Sequence, residues 1–389
     1  MLKVLTHKSG QYVDYEQMLR EAWDGTLVSR HTVAVTVGEV KKALKEYGSW
    51  ISYRPKLGYR FDVPQTDDLI RKGWHYWGNR TREGIQKALD CFQEAARQDE
   101  TDFRAHEGIS LSYLTLGACG MRPPREVYSA FLEAHKRAVV LAGLTPELRS
   151  DRGHGLHMFE HRFAEAEADL LEAQREKPRA ANAVRLMMLY TALGRLDEAL
   201  DVLTEAYTLE PLWPMLPAAE INVRFIRREF DCAVACGKQA LELHPYVHLV
   251  RVFYAQALEY SGKVEEALVQ YRVACVMCPD LPWFKAMEGT CLGRHGRQSE
   301  ARRIVVDLEQ LRSTEYVDAY YMALLYDAVG DRDRAFAEMD RALEENSATL
   351  NIVDVDPKLD CLRRDPRFAR LRHSIFAGTE QALAFGSAV

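Results

Sequence analysis

The chain has 389 residues, of which 47% are hydrophobic, and a formal net charge of −6. That apolar fraction excludes wholesale disorder, and the length is sufficient for two or more domains. No run of 18 apolar residues predicts a membrane span, and the first residues, MLKVLTHKSGQY, lack the pattern of a signal peptide. The eight scattered cysteines predict reduced thiols. We therefore expect a cytoplasmic protein with no membrane contact.

Charge is spread unevenly along the chain. Residues 30–60 contain seven Lys or Arg residues against two acidic residues, within a protein that is otherwise acidic. A local excess of positive charge of this kind predicts an electrostatic contact surface that is confined to one module.

The first 62 residues show two helical patterns followed by two strand patterns. The stretch DYEQMLREAW (14–23) begins at an N-cap candidate, Asp14, and places its apolar residues on one face. The stretch RHTVAVTVGEVKKALKEYG (30–48) has one apolar stripe, formed by Val33, Val37, Val40 and Leu44. WISY and GYRFDV then read as two strands connected by PKLG, in which Gly58 supplies an unusual backbone angle.

This order of elements is that of a winged helix-turn-helix. Residues LVSRHTVAVTVGEVKKALKEYGSWISYRPKLGYRF resemble the second half of an OmpR-type DNA-binding domain, and PKLGYRF (55–61) is the most specific part. The resemblance implies a recognition helix at about 30–46, a wing tip at 54–56 and double-stranded DNA as a partner. The residues that it places against DNA are His31, Thr32, Thr36, Glu39, Lys41, Lys42, Arg54 and Lys56.

The sequence departs from that family in two places. The chain begins too late to contain the small sheet with which such a domain opens, so residues 1–9 are interpreted as the end of its first helix. Gly38 and Glu39 also replace the arginines that the family has in the middle of the recognition helix. A carboxylate there can accept a hydrogen bond from cytosine but repels phosphate.

From residue 69 onward the sequence repeats with a period of 34 residues. Gly194, Gly262, Gly296 and Gly330 share one slot, which Arg228 fills in the intervening unit. Five residues later stand Ala199, Ala233, Ala267, Ala301 and Ala335. Small residues at fixed positions let two antiparallel helices approach closely, and the glycine forms the turn between them. The pattern resembles the tetratricopeptide repeat (TPR), with about eight helix pairs in all.

The chain is therefore predicted to be mainly α. A winged helix-turn-helix that lacks its N-terminal sheet occupies residues 1–62, a linker 63–68, an α-α TPR superhelix of about eight repeats 69–349, and a capping segment with a tail 350–389. The stretch VDPKLDCLRRDPRFARL (355–371) resembles the DPRF tail that closes the repeat arrays of bacterial winged-helix regulators.

The resemblance to TPR proteins also implies a concave groove lined by the first helix of each pair. Carried over onto this chain, the lining residues are Trp77, Met188, Asn222, Phe225, Gln256, Trp283 and Tyr320. This lining is apolar with two amides and suits an amphipathic helix or an apolar peptide. No basic residue stands at the position that the family's carboxylate clamp requires. The alternative is that several of these aromatic residues simply pack between repeats.

Other motifs were weighed and set aside. His154, His157 and His161 share one face of a predicted helix and could hold zinc or sense pH, but packing inside the repeats is the favoured interpretation. Cys275 and Cys278 form a C-x-x-C without a second ligand pair. The chain has no phosphate-binding glycine loop and no nucleophile elbow. We expect no enzyme activity, no cofactor and no metal.

Two functions remain open from the sequence. The first is a cytoplasmic transcriptional regulator that binds DNA through residues 1–62 and a protein or peptide through its TPR solenoid, which can also serve to form homo-oligomers. The second is a TPR interaction scaffold whose winged helix is vestigial and does not bind DNA.

Overall fold

The computed structural model describes residues 1–62 and 65–376. It consists of a small α/β unit followed by a long array of α-helices, as the sequence predicts. No helix within these described residues has both the length and the apolar character needed to cross a membrane.

The N-terminal unit has three helices and a three-stranded antiparallel sheet. Its elements are α1 (Leu2–His7), β1 (Tyr12–Val13), α2 (Tyr15–Ala22), α3 (Arg30–Ala43), β2 (Ile51–Arg54) and β3 (Gly58–Phe61), with a 3-10 helix at Lys45–Trp50. Helix α3, the predicted recognition helix, therefore ends at Ala43, three residues before the predicted end at 46, because the chain continues as a 3-10 helix. The predicted hairpin of β2 and β3 is present, and residues 1–9 contain the six-residue helix α1.

The sequence did not predict strand β1, which is only two residues long. It pairs with β3 through Tyr12 opposite Arg60 and Val13 opposite Tyr59, giving the strand order β1-β3-β2. This close approach explains Gly58, which has φ +100°: a Cβ there would lie 2.1 Å from the Val13 carbonyl oxygen. The glycine is thus required by a tertiary contact as well as by the turn.

The two predicted helices of this unit pack as their apolar patterns require. Asp14 and Ser29 accept hydrogen bonds from the backbone N–H groups of Gln17 and Thr32, which caps α2 and α3. Val33 and Val37 of α3 are buried with α1, β1 and α2 residues in one small core that is separate from the core of the array.

The array contains eight antiparallel helix pairs between residues 65 and 345. In chain order the helices are α4 (Gln65–Gly78), α5 (Arg82–Gln98), α6 (Phe103–Ala118), α7 (Pro124–Ala142), α8 (Pro146–Gly155), α9 (Phe163–Glu176), α10 (Ala180–Ala192), α11 (Leu196–Leu209), α12 (Met215–Ile226), α13 (Phe230–Leu243), α14 (His248–Tyr260), α15 (Val264–Met277), α16 (Pro282–Arg294), α17 (Gln298–Leu311), α18 (Ala319–Ala328) and α19 (Arg332–Glu345). Helix α4 starts inside the stretch that we interpreted as a linker; residues 63–64 of that stretch lie outside the described residues.

The 34-residue register is confirmed in the turns between paired helices. Gly194, Gly262, Gly296 and Gly330 all have φ between +71° and +83°, and Arg228, in the intervening slot, has φ +65°. Left-handed backbone is inexpensive for glycine and costs an L-residue about 1–2 kcal/mol. The repeat geometry therefore holds even where the sequence does not supply glycine.

The array curves so that the turn between α4 and α5 contacts the residues that flank α16 and α17. The backbone N–H of Arg82 donates to the Asp280 carboxylate at 2.7 Å, and its guanidinium pairs with Glu315 at 2.9 Å. The chain then continues through two 3-10 segments (Ala348–Ile352 and Pro357–Leu359) and helices α20 (Asp360–Arg363) and α21 (Pro366–Phe376). Residues 377–389 of the predicted tail lie outside the described residues.

Candidate DNA-contacting face and repeat groove

The solvent-facing side of α3 carries most of the predicted DNA-contact residues. His31, Thr32, Glu39 and Lys42 are exposed, whereas Thr36 and Lys41 lie half-buried on either flank of the apolar stripe. Val35, which the sequence analysis did not include, is 48% exposed in the middle of this face. An apolar side chain there can contact a thymine methyl group.

Two of the predicted polar residues are partly committed to the helix itself. The Ser29 and Thr32 hydroxyls lie 2.9 Å apart, and the Thr36 hydroxyl donates to the Thr32 carbonyl oxygen at 3.0 Å. These bonds hold both threonines in place, and a hydroxyl oxygen so engaged still has acceptor capacity for an incoming group.

The cations of this face have no acidic partner among the described residues. Neither Lys42 nor Lys56 makes a hydrogen bond or an ion pair there, and both are exposed. In the array, by contrast, Arg195 pairs with both Glu167 and Glu198. The charges of Lys42 and Lys56 are therefore directed toward solvent, which is the arrangement that phosphate binding requires.

The wing is closed by a hydrogen-bonded turn, and its tip is basic. The Leu57 N–H donates to the Arg54 carbonyl oxygen at 3.1 Å, with Lys56 in the left-handed region at φ +71°. The Arg54 guanidinium lies 5.9 Å from the centre of the Tyr12 ring. The two-residue strand β1 thus anchors the wing on one side, and Arg54 and Lys56 remain exposed at its tip.

The predicted groove residues divide into two groups. Trp77, Met188 and Asn222 are half-buried and remain accessible, whereas Phe225, Gln256, Trp283 and Tyr320 are at most 6% exposed. The burial of the second group agrees with the packing alternative, and a groove role for the seven residues stays a prediction.

The chain's own C-terminal segment covers much of that second group. The Tyr320 hydroxyl donates to the buried Asp356 carboxylate at 2.5 Å, and the Lys358 ammonium lies 5.2 Å from the centre of the Phe225 ring. Lys358 and Asp356 also form a buried ion pair at 2.8 Å. The segment that we predicted as an end cap therefore also fills part of the concave side.

One accessible cation lies in the part of the groove that the segment leaves open. Arg80, in the turn after α4, stacks on the Trp77 ring at 3.6 Å from its centre, and the Trp77 indole N–H donates to Thr115 at 3.1 Å. The Arg80 guanidinium makes no ion pair within the described residues. Burial lowers the pKa of Arg80 to about 10, to which the nearby Arg185 contributes. The rejected carboxylate clamp concerned a different repeat position, so a cation in this turn escaped the sequence analysis.

The three histidines at 154, 157 and 161 do not share a helix face. Helix α8 ends at Gly155, a π-helical turn spans Leu156–Glu160, and His161 occupies the left-handed turn slot with φ +52°. Burial lowers the pKa of His157 to about 3 and that of His161 to about 4. The Asn351 amide lies 2.9 Å from His157 Nε2, which ties this turn to the C-terminal segment. Their surroundings support the packing interpretation.

The thiols of Cys275 and Cys278 are held in their protonated form. Burial raises the pKa of Cys275 to about 12 and that of Cys278 to about 11. A thiol that stays protonated near neutral pH is a poor nucleophile, and it binds a metal only if the metal displaces its proton.

Comparison with known proteins divides the chain in the same way as its fold. Residues 1–61 match the family model described as "Transcriptional regulatory protein, C terminal". No curated protein sequence gives a significant match to the chain.

Solved structures resemble the helical array. A human IFIT1 dimer with PPP-AAAA is 16% identical, with 80% of this chain and 78% of that chain covered and a TM-score of 0.53. A monomeric IFIT1 mutant with m7Gppp-AAAA is 15% identical, with 88% and 86% covered and a TM-score of 0.53. A tetratricopeptide repeat protein from Parabacteroides merdae is 12% identical, with 75% and 98% covered and a TM-score of 0.43. At identities this low, the two IFIT1 structures show a shared fold alone.

The fold and the match define the class of this protein. It has a winged helix-turn-helix of the transcriptional-regulator type at its N-terminus, followed by a TPR-like helical solenoid.

Proposed function

We propose that this protein is a cytoplasmic transcriptional regulator that binds double-stranded DNA through α3 and the wing, and a protein or peptide partner through the solenoid. The observation that carries the DNA-binding proposal is the exposed α3 face together with a wing tip whose cations lack acidic partners among the described residues. A helix fits the major groove, so His31, Val35 and Glu39 are placed to meet base edges while Lys42 meets phosphate. Arg54 and Lys56 meet the backbone or the adjacent minor groove.

A salt titration tests this proposal. Each lysine that neutralises a phosphate contributes about 0.9 to the slope of log K against log salt. Lys42→Ala and Lys56→Ala should each weaken binding to the protein's own upstream DNA and reduce that slope by about one. Lys87→Ala is the matched control, because Lys87 lies on the solenoid and pairs with Glu83 at 2.6 Å. Equal losses for all three variants would contradict the assignment.

Base readout is tested separately. Replacing Glu39 or Thr36 should change which sequence is preferred in a selection from random DNA, with a discrimination change of about 1–3 kcal/mol per base pair. The acidic Glu39 within the DNA-facing surface is the observation that favours the second candidate, a scaffold whose winged helix does not bind DNA. Absence of any binding at low salt would establish that second candidate.

For the solenoid, we propose a partner that carries an acidic group. Four of the predicted groove residues are buried, namely Phe225, Gln256, Trp283 and Tyr320. The accessible lining then consists of Trp77, Met188, Asn222 and Arg80, which has no ion pair among the described residues. A guanidinium that is stacked on an indole and partly desolvated binds a carboxylate by charge-assisted hydrogen bonds. The sequence predicted an apolar ligand, whereas we now propose a ligand that has an apolar body and a carboxylate.

Peptide display against the intact protein tests the nature of the partner. Enriched peptides should contain Asp or Glu. Their affinity should fall about tenfold or more for the Arg80→Ala variant, because a hydrogen bond to a charged group contributes about 1.5–3 kcal/mol. Arg122→Ala, on an exposed arginine that pairs only with Glu126, is the control. Enrichment of purely apolar peptides that bind Arg80→Ala equally well would refute the acidic-partner proposal.

A further inference from the structure

Three potential metal-ligand side chains from two neighbouring helices converge at one place in the solenoid. Glu259 lies at the end of α14, Cys291 lies in the last turn of α16, and His295 caps that helix. Their ligand atoms all lie within 4.8 Å of one another, and the Glu259 Oε1 to His295 Nε2 distance is 4.0 Å. Within residues 1–62 and 65–376, no other trio of His, Cys, Asp or Glu comes this close.

The Glu259 carboxylate is buried and incompletely satisfied. Glu259 is 3% exposed, and its Oε2 accepts a hydrogen bond from the Tyr271 hydroxyl at 3.1 Å. Its Oε1 has no hydrogen-bond partner in the part of the chain that the structure describes. The Arg294 guanidinium approaches Oε1 only to 3.5 Å, because its own N–H groups donate to the Tyr260 hydroxyl and the Lys358 carbonyl oxygen. A buried acceptor without a donor calls for a physical explanation, and a bound cation is one.

The geometry points to a site for a thiophilic divalent cation, with Zn²⁺ as the best match, held by Glu259 Oε1, Cys291 Sγ and His295 Nε2. Carboxylate, thiolate and imidazole are the three ligand types of zinc sites, at bond lengths of about 2.0–2.3 Å. Ligand atoms around a tetrahedral zinc are therefore separated by about 3.3–3.7 Å. The three ligand atoms here lie within 4.8 Å of one another, so side-chain movements of about 1 Å or less would bring them to that separation.

The local structure supports this assignment in two further ways. Cys291 and His295 are separated by four residues, which places both side chains on the same helix face, as in other helical metal sites. The Tyr271 hydroxyl acts on the carboxylate from the far side and fixes the direction in which Oε1 points, as outer-shell groups do for metal ligands. His295 is exposed and gives the ion a route from solvent, while a water molecule completes the fourth position.

The chemistry of binding is a simple exchange. Burial raises the pKa of the Cys291 thiol, so the metal must displace its proton to the buffer before the thiolate binds, while the His295 imidazole and the Glu259 carboxylate donate lone pairs. No oxidant or second reactant is required. The carboxylate and the thiolate offset the two positive charges of the ion, so replacing the proton by Zn²⁺ adds one net positive charge beside Arg294.

Zinc binding by the intact protein tests this inference. After treatment with a chelator, the protein is titrated with Zn²⁺ against a chromophoric chelator, and one equivalent is expected to bind. Cys291→Ser and His295→Ala should each weaken binding about 100-fold or more, and His295→Ala leaves the fold undisturbed because the side chain is exposed. Cys361→Ser, at an exposed cysteine, is the matched control and should bind as the wild type does.

Cobalt gives a second readout that reports the ligand directly. Co²⁺ in place of Zn²⁺ should produce a thiolate-to-cobalt charge-transfer band that is lost in Cys291→Ser and retained in Cys361→Ser. Loss of binding on replacement of His157 or Cys278 but not of Cys291 would overturn the assignment. So would a wild-type protein that binds no equivalent of either metal.

Discussion

Replacing Gly58 with alanine should loosen the winged helix more than any conservative surface change. The new Cβ would lie 2.1 Å from the Val13 oxygen and 2.8 Å from both the Val13 carbonyl carbon and the Asp14 Cα. All three are backbone atoms, so β1 must separate from β3. The φ of +100° adds strain of about 1–2 kcal/mol for any L-residue.

The total cost follows from what β1 contributes. Separation exposes Val13, which is fully buried, at about 1.5 kcal/mol, and removes strand hydrogen bonds worth about 1 kcal/mol each. With the strain, the loss is about 3–5 kcal/mol. A unit of about 60 residues is stable by only about 3–9 kcal/mol. Most of the stability of the wing is therefore expected to disappear.

The assay is hydrogen exchange on the intact protein, with solenoid peptides as the internal reference. Amides of β2 and β3 should exchange much faster in Gly58→Ala, and DNA affinity should fall with them. Gly38→Ala is the control: the same methyl group is added in the middle of α3, where no atom lies within 4 Å. It should stabilise α3 by about 0.5–1 kcal/mol. Normal exchange in Gly58→Ala, or equal loosening in both variants, would refute the account.

Two further predictions concern the contact between the C-terminal segment and the solenoid. Lys358→Met should lower the free energy of unfolding, measured in urea, by about 3–5 kcal/mol, because it leaves the buried Asp356 carboxylate without its cation. Adding Asp356→Asn should recover part of that loss. If Lys358→Met leaves the stability unchanged, the pair does not have this role. The pKa of His157 lies at about 3 in the folded protein and near 6.5 when unfolded, so below pH 6.5 the unfolded chain binds a proton that the folded chain does not. The free energy of unfolding should therefore fall as the pH drops from about 6.5 toward 3. In His157→Gln, the number of protons taken up on unfolding in this pH range should be lower by about one. The exposed His75→Gln is the control and should leave that number unchanged.

The sequence by itself determined the elements and their order. The apolar stripe of α3 and the cap at Asp14 are local patterns, because each depends on residues a few positions apart. The 34-residue register follows from small residues that recur along the chain. The register also placed Arg228 in the slot that glycine fills in the other units. For the same reason the eight helix pairs and the hairpin wing could be predicted from periodicity alone.

Only the tertiary structure decided which of these surfaces are available. Phe225 and Tyr320 occupy groove positions in the repeat register, yet residues more than 35 positions further along the chain cover them, and no periodic pattern encodes that contact. The pairing of β1 with β3 and the convergence of Glu259 on Cys291 likewise join distant segments. Arg80 stays unpaired for the same physical reason: whether a charge finds a partner depends on the packing of the whole chain, which local spacing does not determine.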